Sequence, residues 1–183
     1  MLHHCRAVAR GVTRALIIGD MPFMSYNVTE AEAIRNAGRF VKEGGADLVK
    51  LEGGASVAAT VAAIVRAGIP VCGHLGLTPQ TATQLGGYKV QGRTAATART
   101  LLADARILEE AGASMLVIEC VPDRVTERIT AAVSLPVIGI GAGPACDGQV
   151  LVLHDLLGIG ATPPRFVKRY AELGEAIRQA LVA

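Results

Sequence analysis

The sequence predicts an α/β domain built from repeated strand and helix units, and three observations carry that prediction. Short apolar runs rich in β-branched residues alternate with longer alanine-rich stretches of helical period, the pattern of parallel strands joined by crossover helices. One phrase recurs in variants, KEGGADLVKLEGG, VRAGIPVCGH, EEAGASMLVIEC and AVSLPVIGIGA, each a helix ending in a small-residue turn that delivers a strand. The composition suits such layers: 51% hydrophobic, 3% aromatic, no tryptophan and 21 glycines in 183 residues leave a core packed from Ala, Val, Ile and Leu.

The start of the chain carries Arg6, Arg10 and Arg14 at helical spacing with no acid. It reads as a helix with a solvated basic edge, with a transit-peptide fragment as the alternative; His3 and His4 then lie on the helix surface. Six strands follow: 15–20, 47–53, 70–76, 114–121, 136–142 and 149–155. Between them, 29–44 is a helix with Thr29 as N-cap, Glu32 completing a capping box and Gly44-Gly45 ending it. Helices are also predicted over 55–68, 97–112 and 123–133, and residues 166–183 form an amphipathic helix at the chain end. A closed (β/α)₈ barrel takes eight strands and about 250 residues, so six strands predict an open sheet or an incomplete barrel.

Charge excludes several functions. Eighteen basic against 16 acidic residues give a net charge of +2, which provides no electrostatic footprint for nucleic acid or membrane. No apolar run reaches the roughly 18 residues of a membrane span, because Asp20, Lys50, Glu52, His74 and Glu119 interrupt or border the runs. The four cysteines form no CxxC pair, which fits a reducing cytoplasm.

Those interrupting residues are the functional signal. Parallel α/β sheets bind ligands at the carboxyl ends of their strands. Asp20 ends the first run, Lys50 and Glu52 lie two apart on one face of the second, His74 is on the third and Glu119 on the fourth. A buried ionisable group is costly unless paired, metal-bound or used, and five at one end of a sheet make a site. Singly, each has a plainer reading: a Lys50–Glu52 ion pair, Asp20 capping a turn, a buried Glu119 paired to a neighbour, His74 hydrogen-bonded inside the fold instead of binding substrate. The apolar flanks of Glu119 predict a raised pKa suited to proton transfer. His154 reads as structural. The run GIGAG (139–143) fails the dinucleotide pattern, since Pro144 holds the third glycine position, and reads better as a close-approach loop over a small substrate.

The motifs DMPFMSY (20–26), VKLEGG (49–54), PVCGHLGLTPQ (70–80), GGYKVQGR (86–93), LVIECVP (116–122) and PVIGIGAGPACDGQVLVLHD (136–155), in this order, resemble the ketopantoate hydroxymethyltransferase family. The resemblance implies a (β/α)₈ TIM barrel of the phosphoenolpyruvate mutase/isocitrate lyase type, a single domain over 1–183, incomplete here with six recognisable strands. It implies transfer of a hydroxymethyl group from 5,10-methylenetetrahydrofolate to 3-methyl-2-oxobutanoate, giving 2-dehydropantoate for pantothenate synthesis, with Mg²⁺ chelating the substrate. Asp20 is then a metal ligand that also contacts substrate, Lys50 binds substrate, Glu52 belongs to the metal site, Glu119 accepts the proton, and His74 supports the site or touches substrate. Residues 86–93 would form a mobile loop bringing Tyr88, Lys89 and Arg93 to the folate. A cytoplasmic homo-oligomer is implied, with the C-terminal helix at an interface.

The family pattern has two further strands ahead of this segment, the second with an Asp-Ser pair whose Asp also binds metal. MLHHCRAVARG resembles the helix that follows them, so the chain is expected to be N-terminally truncated relative to the family and nearly inactive alone. The alternative function is an inactive fragment or paralogue that keeps only fold and oligomer contacts.

Overall fold

Each predicted crossover lands its strand beside the one before. The computed structural model describes residues 1–160 and 162–183. In it β1 (Ile18–Asp20), β2 (Leu48–Glu52), β3 (Val71–Gly76), β4 (Met115–Glu119), β5 (Val137–Ile140) and the two-residue β6 (Gly148–Gln149) follow one another across one sheet. The first five pair in parallel. Sequential order with crossovers of one hand puts the helices on one face, as in a barrel wall, and frees the other face for a site.

The helices are α1 (Leu2–Gly11), α2 (Glu30–Lys42), α3 (Ala58–Arg66), α4 (Ala95–Glu110) and α5 (Asp123–Thr130). Strand alternation sorts the two faces. Val49, Leu51, Val71, Leu75, Leu116, Ile118 and Val137 are buried in the core with Phe40 of α2, Val61 and Ile64 of α3 and Leu108 of α4. Lys50, Glu52, Cys72, His74 and Glu119 alternate with them and face the other way. Thr29 caps α2 by accepting the Glu32 N–H at 3.2 Å. The reciprocal capping box forms instead at α4, where the Thr94 and Thr97 hydroxyls each accept the other's backbone N–H.

Two compact units divide the chain, Met1–Gly148 and Gln149–Ala183. In the second, two expectations fail. The run 149–155 is not a strand beyond Gln149, because Leu156 and Leu157 N–H bond back to the Val152 and Leu153 carbonyls and form the short α6 (Leu153–Leu156). An apolar run of this length does not by itself choose between the two periods. The terminal helix α7 spans Leu173–Val182, shorter than predicted, since the N–H groups of Tyr170, Leu173 and Gly174 bond to the carbonyls of Leu156, Leu157 and Gly158 instead of to a preceding helical turn.

Gly76 lets β3 and β4 end together. Its φ is +91°, and a Cβ there would stand 2.2 Å from the Glu119 carbonyl oxygen, which accepts the Leu77 N–H at 2.8 Å. Gly76→Ala is therefore expected to cost about 3 kcal/mol or more, strain and overpacking together. Gly68→Ala, also at positive φ but with open space around it, should cost about 1–2 kcal/mol. Urea unfolding midpoints of the two variants check this, and equal losses would show that the close approach is not what Gly76 serves.

Candidate active site

The sheet register does most of the assembly. Asp20 lies beside Lys50, Glu52 beside His74 and Gly76 beside Glu119, so five ionisable residues collect at the carboxyl ends of four adjacent strands. Lys50 Nζ is 2.8 Å from Asp20 Oδ1, 3.2 Å from His74 Nδ1 and 3.8 Å from Glu52 Oε1. On the far side of the imidazole, His74 Nε2 is 3.2 Å from Glu119 Oε2. The result is one continuous chain, Asp20–Lys50–His74–Glu119, with Glu52 beside its middle.

The histidine tautomer follows from its neighbours. An ammonium only donates, so Nδ1 accepts from Lys50 and the ring proton sits on Nε2, facing Glu119. Asp20 Oδ1 and His74 Nε2 are buried and lack a well-aligned hydrogen bond despite their short distances to Lys50 and Glu119. Both contacts are thus close ion contacts whose carboxylates are not locked by direction.

Burial sets the proton affinities nearby. Glu52 is 6% exposed, and burial raises its pKa, opposed by the Gln80 N–H that Oε2 accepts at 3.0 Å and by His74 and Lys50 nearby. The Cys72 thiol is pushed up to about 12, chiefly by burial, and stays protonated beside Lys50. Burial likewise holds the Tyr26 phenol at about 12.

All five predicted residues come together, with one correction. Glu119 was expected among apolar neighbours, yet its carboxylate faces His74, because Ile118 and Val121 turn into the core instead. At the end of the glycine run a Cβ at Gly143 would meet Asp123 Cβ at 2.5 Å, so the chain there passes close to the first residue of α5. His154 lies exposed in the second unit. Tyr88, in 86–93, is exposed, and Gln91 N–H donates to the Cys120 carbonyl at 2.8 Å, which ties that segment beside the end of β4.

Sequence reasoning missed Tyr26 and Gln80. Tyr26 donates its hydroxyl proton to Gln80 Oε1 at 2.8 Å and accepts the Glu52 N–H at 3.2 Å. The two residues close two of the quoted motifs, but nothing in a single sequence pairs positions 54 apart.

Among the described residues no group of three or more His, Cys, Asp or Glu side chains is gathered as a metal cage. Mg²⁺ asks for less, one or two carboxylates with waters and substrate oxygens completing its shell. Asp20 suits that demand, with a side chain 43% exposed and a buried oxygen lacking an aligned donor, and Glu52 keeps Oε1 uncommitted to the backbone. An oxygen-only donor set fits a hard divalent cation.

Comparison with known proteins adds relatives to this geometry. The profile of a family described as ketopantoate hydroxymethyltransferase matches residues 1–183. Proteins named 3-methyl-2-oxobutanoate hydroxymethyltransferase are similar throughout: that of Heliobacterium modesticaldum is 60% identical over 182 residues, covering 99% of this chain and 66% of its own. That of Syntrophobacter fumaroxidans is 59% identical over 182 residues, covering 99% and 64%. The chain thus spans about two thirds of the length of the curated relatives it matches. Among solved structures, a phosphonopyruvate hydrolase superposes with a TM-score of 0.58 at 13% identity, over 99% of this chain and 62% of that one. A protein of Burkholderia cenocepacia J2315 assigned as a phosphonomutase gives 0.57 at 19%, over 76% and 60%. These likenesses show the fold alone, a (β/α) barrel of which the described residues carry six strands.

The raised Glu52 pKa makes stability depend on pH. A folded pKa above the unfolded value means that the contribution of Glu52 is fully present below the unfolded range, near 4.3, and is lost as pH rises through the folded value. Glu52→Gln, in magnesium-free buffer, should therefore raise the urea midpoint at pH 8 relative to the unmutated protein, with the gain fading by about pH 4. A difference independent of pH would show that burial of the charge is not what Glu52 costs the fold.

Proposed function

We propose, from the premise that the chain belongs to the ketopantoate hydroxymethyltransferase family, that its strand-end cluster transfers a hydroxymethyl group from 5,10-methylenetetrahydrofolate to 3-methyl-2-oxobutanoate, giving 2-dehydropantoate and tetrahydrofolate. One observation carries the reading: an ammonium and a carboxylate flank a single buried histidine, so a cationic group and a base face the same space at the strand ends.

The chemistry begins at C3 of the keto acid, whose proton is acidified by the neighbouring ketone. Glu119 takes that proton, and the charge left behind spreads onto the keto oxygen as an enolate. Lys50 supplies a fixed positive charge for that oxygen, held in place by Asp20 and His74. His74 turns its Nε2 proton toward Glu119 Oε2 at 3.2 Å and so orients the base at the strand end. The enolate carbon then forms a bond to the folate methylene carbon as one of that carbon's two bonds to folate nitrogen breaks. Water adds its oxygen to the same carbon as the second carbon–nitrogen bond breaks, and the proton held by Glu119 and one from water go to the two folate nitrogens. Asp20 and Glu52 would hold Mg²⁺, which when bound supplies Lewis-acid polarisation of the substrate oxygens. Tyr88, Lys89 and Arg93 are the groups in 86–93 for the pterin ring or its glutamate tail. No helix among the described residues is long and apolar enough to cross a membrane, and the exposed apolar residues of α7, Leu173, Ile177 and Leu181, support a homo-oligomer working in the cytoplasm.

Two measurements test this reading. Exchange of C3 deuterium from labelled 3-methyl-2-oxobutanoate should fall about 10²- to 10⁴-fold in Glu119→Gln. Retained exchange would give the proton to another group, and no exchange in the unmutated protein would favour a non-catalytic relative. Asp20→Ala should bind Mg²⁺ more weakly than the unmutated protein when substrate is present; equal affinity would remove Asp20 from the metal site.

A further inference from the structure

The oxygen of Tyr26 sits at a junction that the proposed chemistry does not use. Tyr26 is 2% exposed, and its hydroxyl accepts the backbone N–H of Glu52 at 3.2 Å. With that lone pair taken, its single proton goes to Gln80 Oε1 at 2.8 Å. The Gln80 amide is thereby oriented, and its Nε2 donates to the Met21 carbonyl at 2.9 Å. A flipped amide would set carbonyl against carbonyl at Met21, so the order of donors is unique. The backbone N–H of Gln80 donates in turn to Glu52 Oε2 at 3.0 Å, and Met21 N–H donates to the Lys50 carbonyl at 3.0 Å.

These bonds close a ring through the exits of β1 and β2. Met21 directly follows Asp20, and Glu52 is gripped at both its backbone N–H and its carboxylate. Pro79 opens the 3-10 turn Pro79–Thr81, which Thr81 N–H closes on the Thr78 carbonyl at 3.0 Å, so Gln80 reaches across from a braced turn. We infer that Gln80 and Tyr26 are positioning residues that fix the separation of Asp20 and Glu52, and with it the grip of those two carboxylates on a divalent cation. The inference rests on the proposed metal role of Asp20 and Glu52. The two residues act through the carboxylates.

Tyr26→Phe removes one oxygen and keeps the ring, and Gln80→Ala removes both side-chain bonds but keeps the backbone N–H to Glu52. Mg²⁺ titration of each variant by calorimetry, with 3-methyl-2-oxobutanoate present, should show affinity about 10- to 100-fold below the unmutated protein. Because the two share the Tyr26–Gln80 bond, the double variant should lose less than the product of the two single losses. Amide hydrogen exchange gives a metal-independent readout: the Glu52 N–H should exchange at least about 10-fold faster in Tyr26→Phe. Unchanged exchange overturns the ring itself. Faster exchange with unaltered Mg²⁺ affinity, or losses that multiply in the double variant, overturns the positioning role and leaves a structural one. If the unmutated protein binds no Mg²⁺ with substrate, the metal reading has failed and the positioning role falls with it, while the exchange data still decide the ring.

Discussion

A buried ammonium organises this end of the molecule. The Lys50 side chain is only 14% exposed on a wall of strands, so its charge must be met by neighbours at fixed places. The sheet supplies them: Asp20 from one adjacent strand, His74 from the other, and Glu52 from two residues further along the same strand. Strands stand about 4.8 Å apart, so partners one strand away reach the ammonium with ordinary rotamers. Register is therefore doubly determined. A slip of one residue would aim Val49 or Leu51 into the charged cluster and push Lys50 into the helix-facing core, breaking the ion contacts and the packing at once.

The charge balance of the cluster points outward. Asp20, Glu52 and Glu119 oppose one ammonium, and the tautomer that Lys50 imposes leaves His74 neutral, so with all three carboxylates ionised two negative charges have no partner. The raised pKa of Glu52 comes chiefly from its burial; the nearby Asp20 charge adds to it, while His74 and Lys50 oppose it. A cation of charge two matches the deficit. In the proposed reading the protein thus withholds its own compensation and leaves the last increment to the metal and its substrate.

The face that carries chemistry was legible because its residues violate the local pattern: a charge inside a β-branched apolar run is visible without any structure. β2, β3 and β4 lie within the predicted runs for the same reason. What escaped has a different physical origin. The surroundings of Glu119 were misjudged because its sequence neighbours point to the core, whereas its spatial neighbour is on β3. The glycine run 139–143 reads as a loop over a small substrate, but a glycine reports only that something comes near, and at Gly143 that neighbour is Asp123. Residues 153–156 close a short helix through local backbone bonds, and α7 begins late because Tyr170, Leu173 and Gly174 bond to the carbonyls of Leu156, Leu157 and Gly158, none of which hydrophobic periodicity encodes. Tyr26 and Gln80 meet only after two loops have been placed, so their polarity alone gave no address.

Glu119 combines an immobile backbone with a carboxylate held on one side only. Its carbonyl accepts from Leu77, and the next residue, Cys120, donates to the Ile140 carbonyl and accepts from Gln91. Cys120 adopts φ of +50°, a conformation costing about 1–3 kcal/mol for a residue with a side chain, and those flanking bonds are what sustain it. The turn sends the chain away sharply, so the last side chain of β4 stands at the rim with no continuing strand beside it. Among the described residues the carboxylate is met by the poorly aligned contact with His74. In the proposed reading Glu119 takes a proton from carbon and later gives it up, and that role needs this combination. A rigid anchor fixes the distance to the substrate, and a weakly directed partner lets the carboxylate turn without breaking a strong bond.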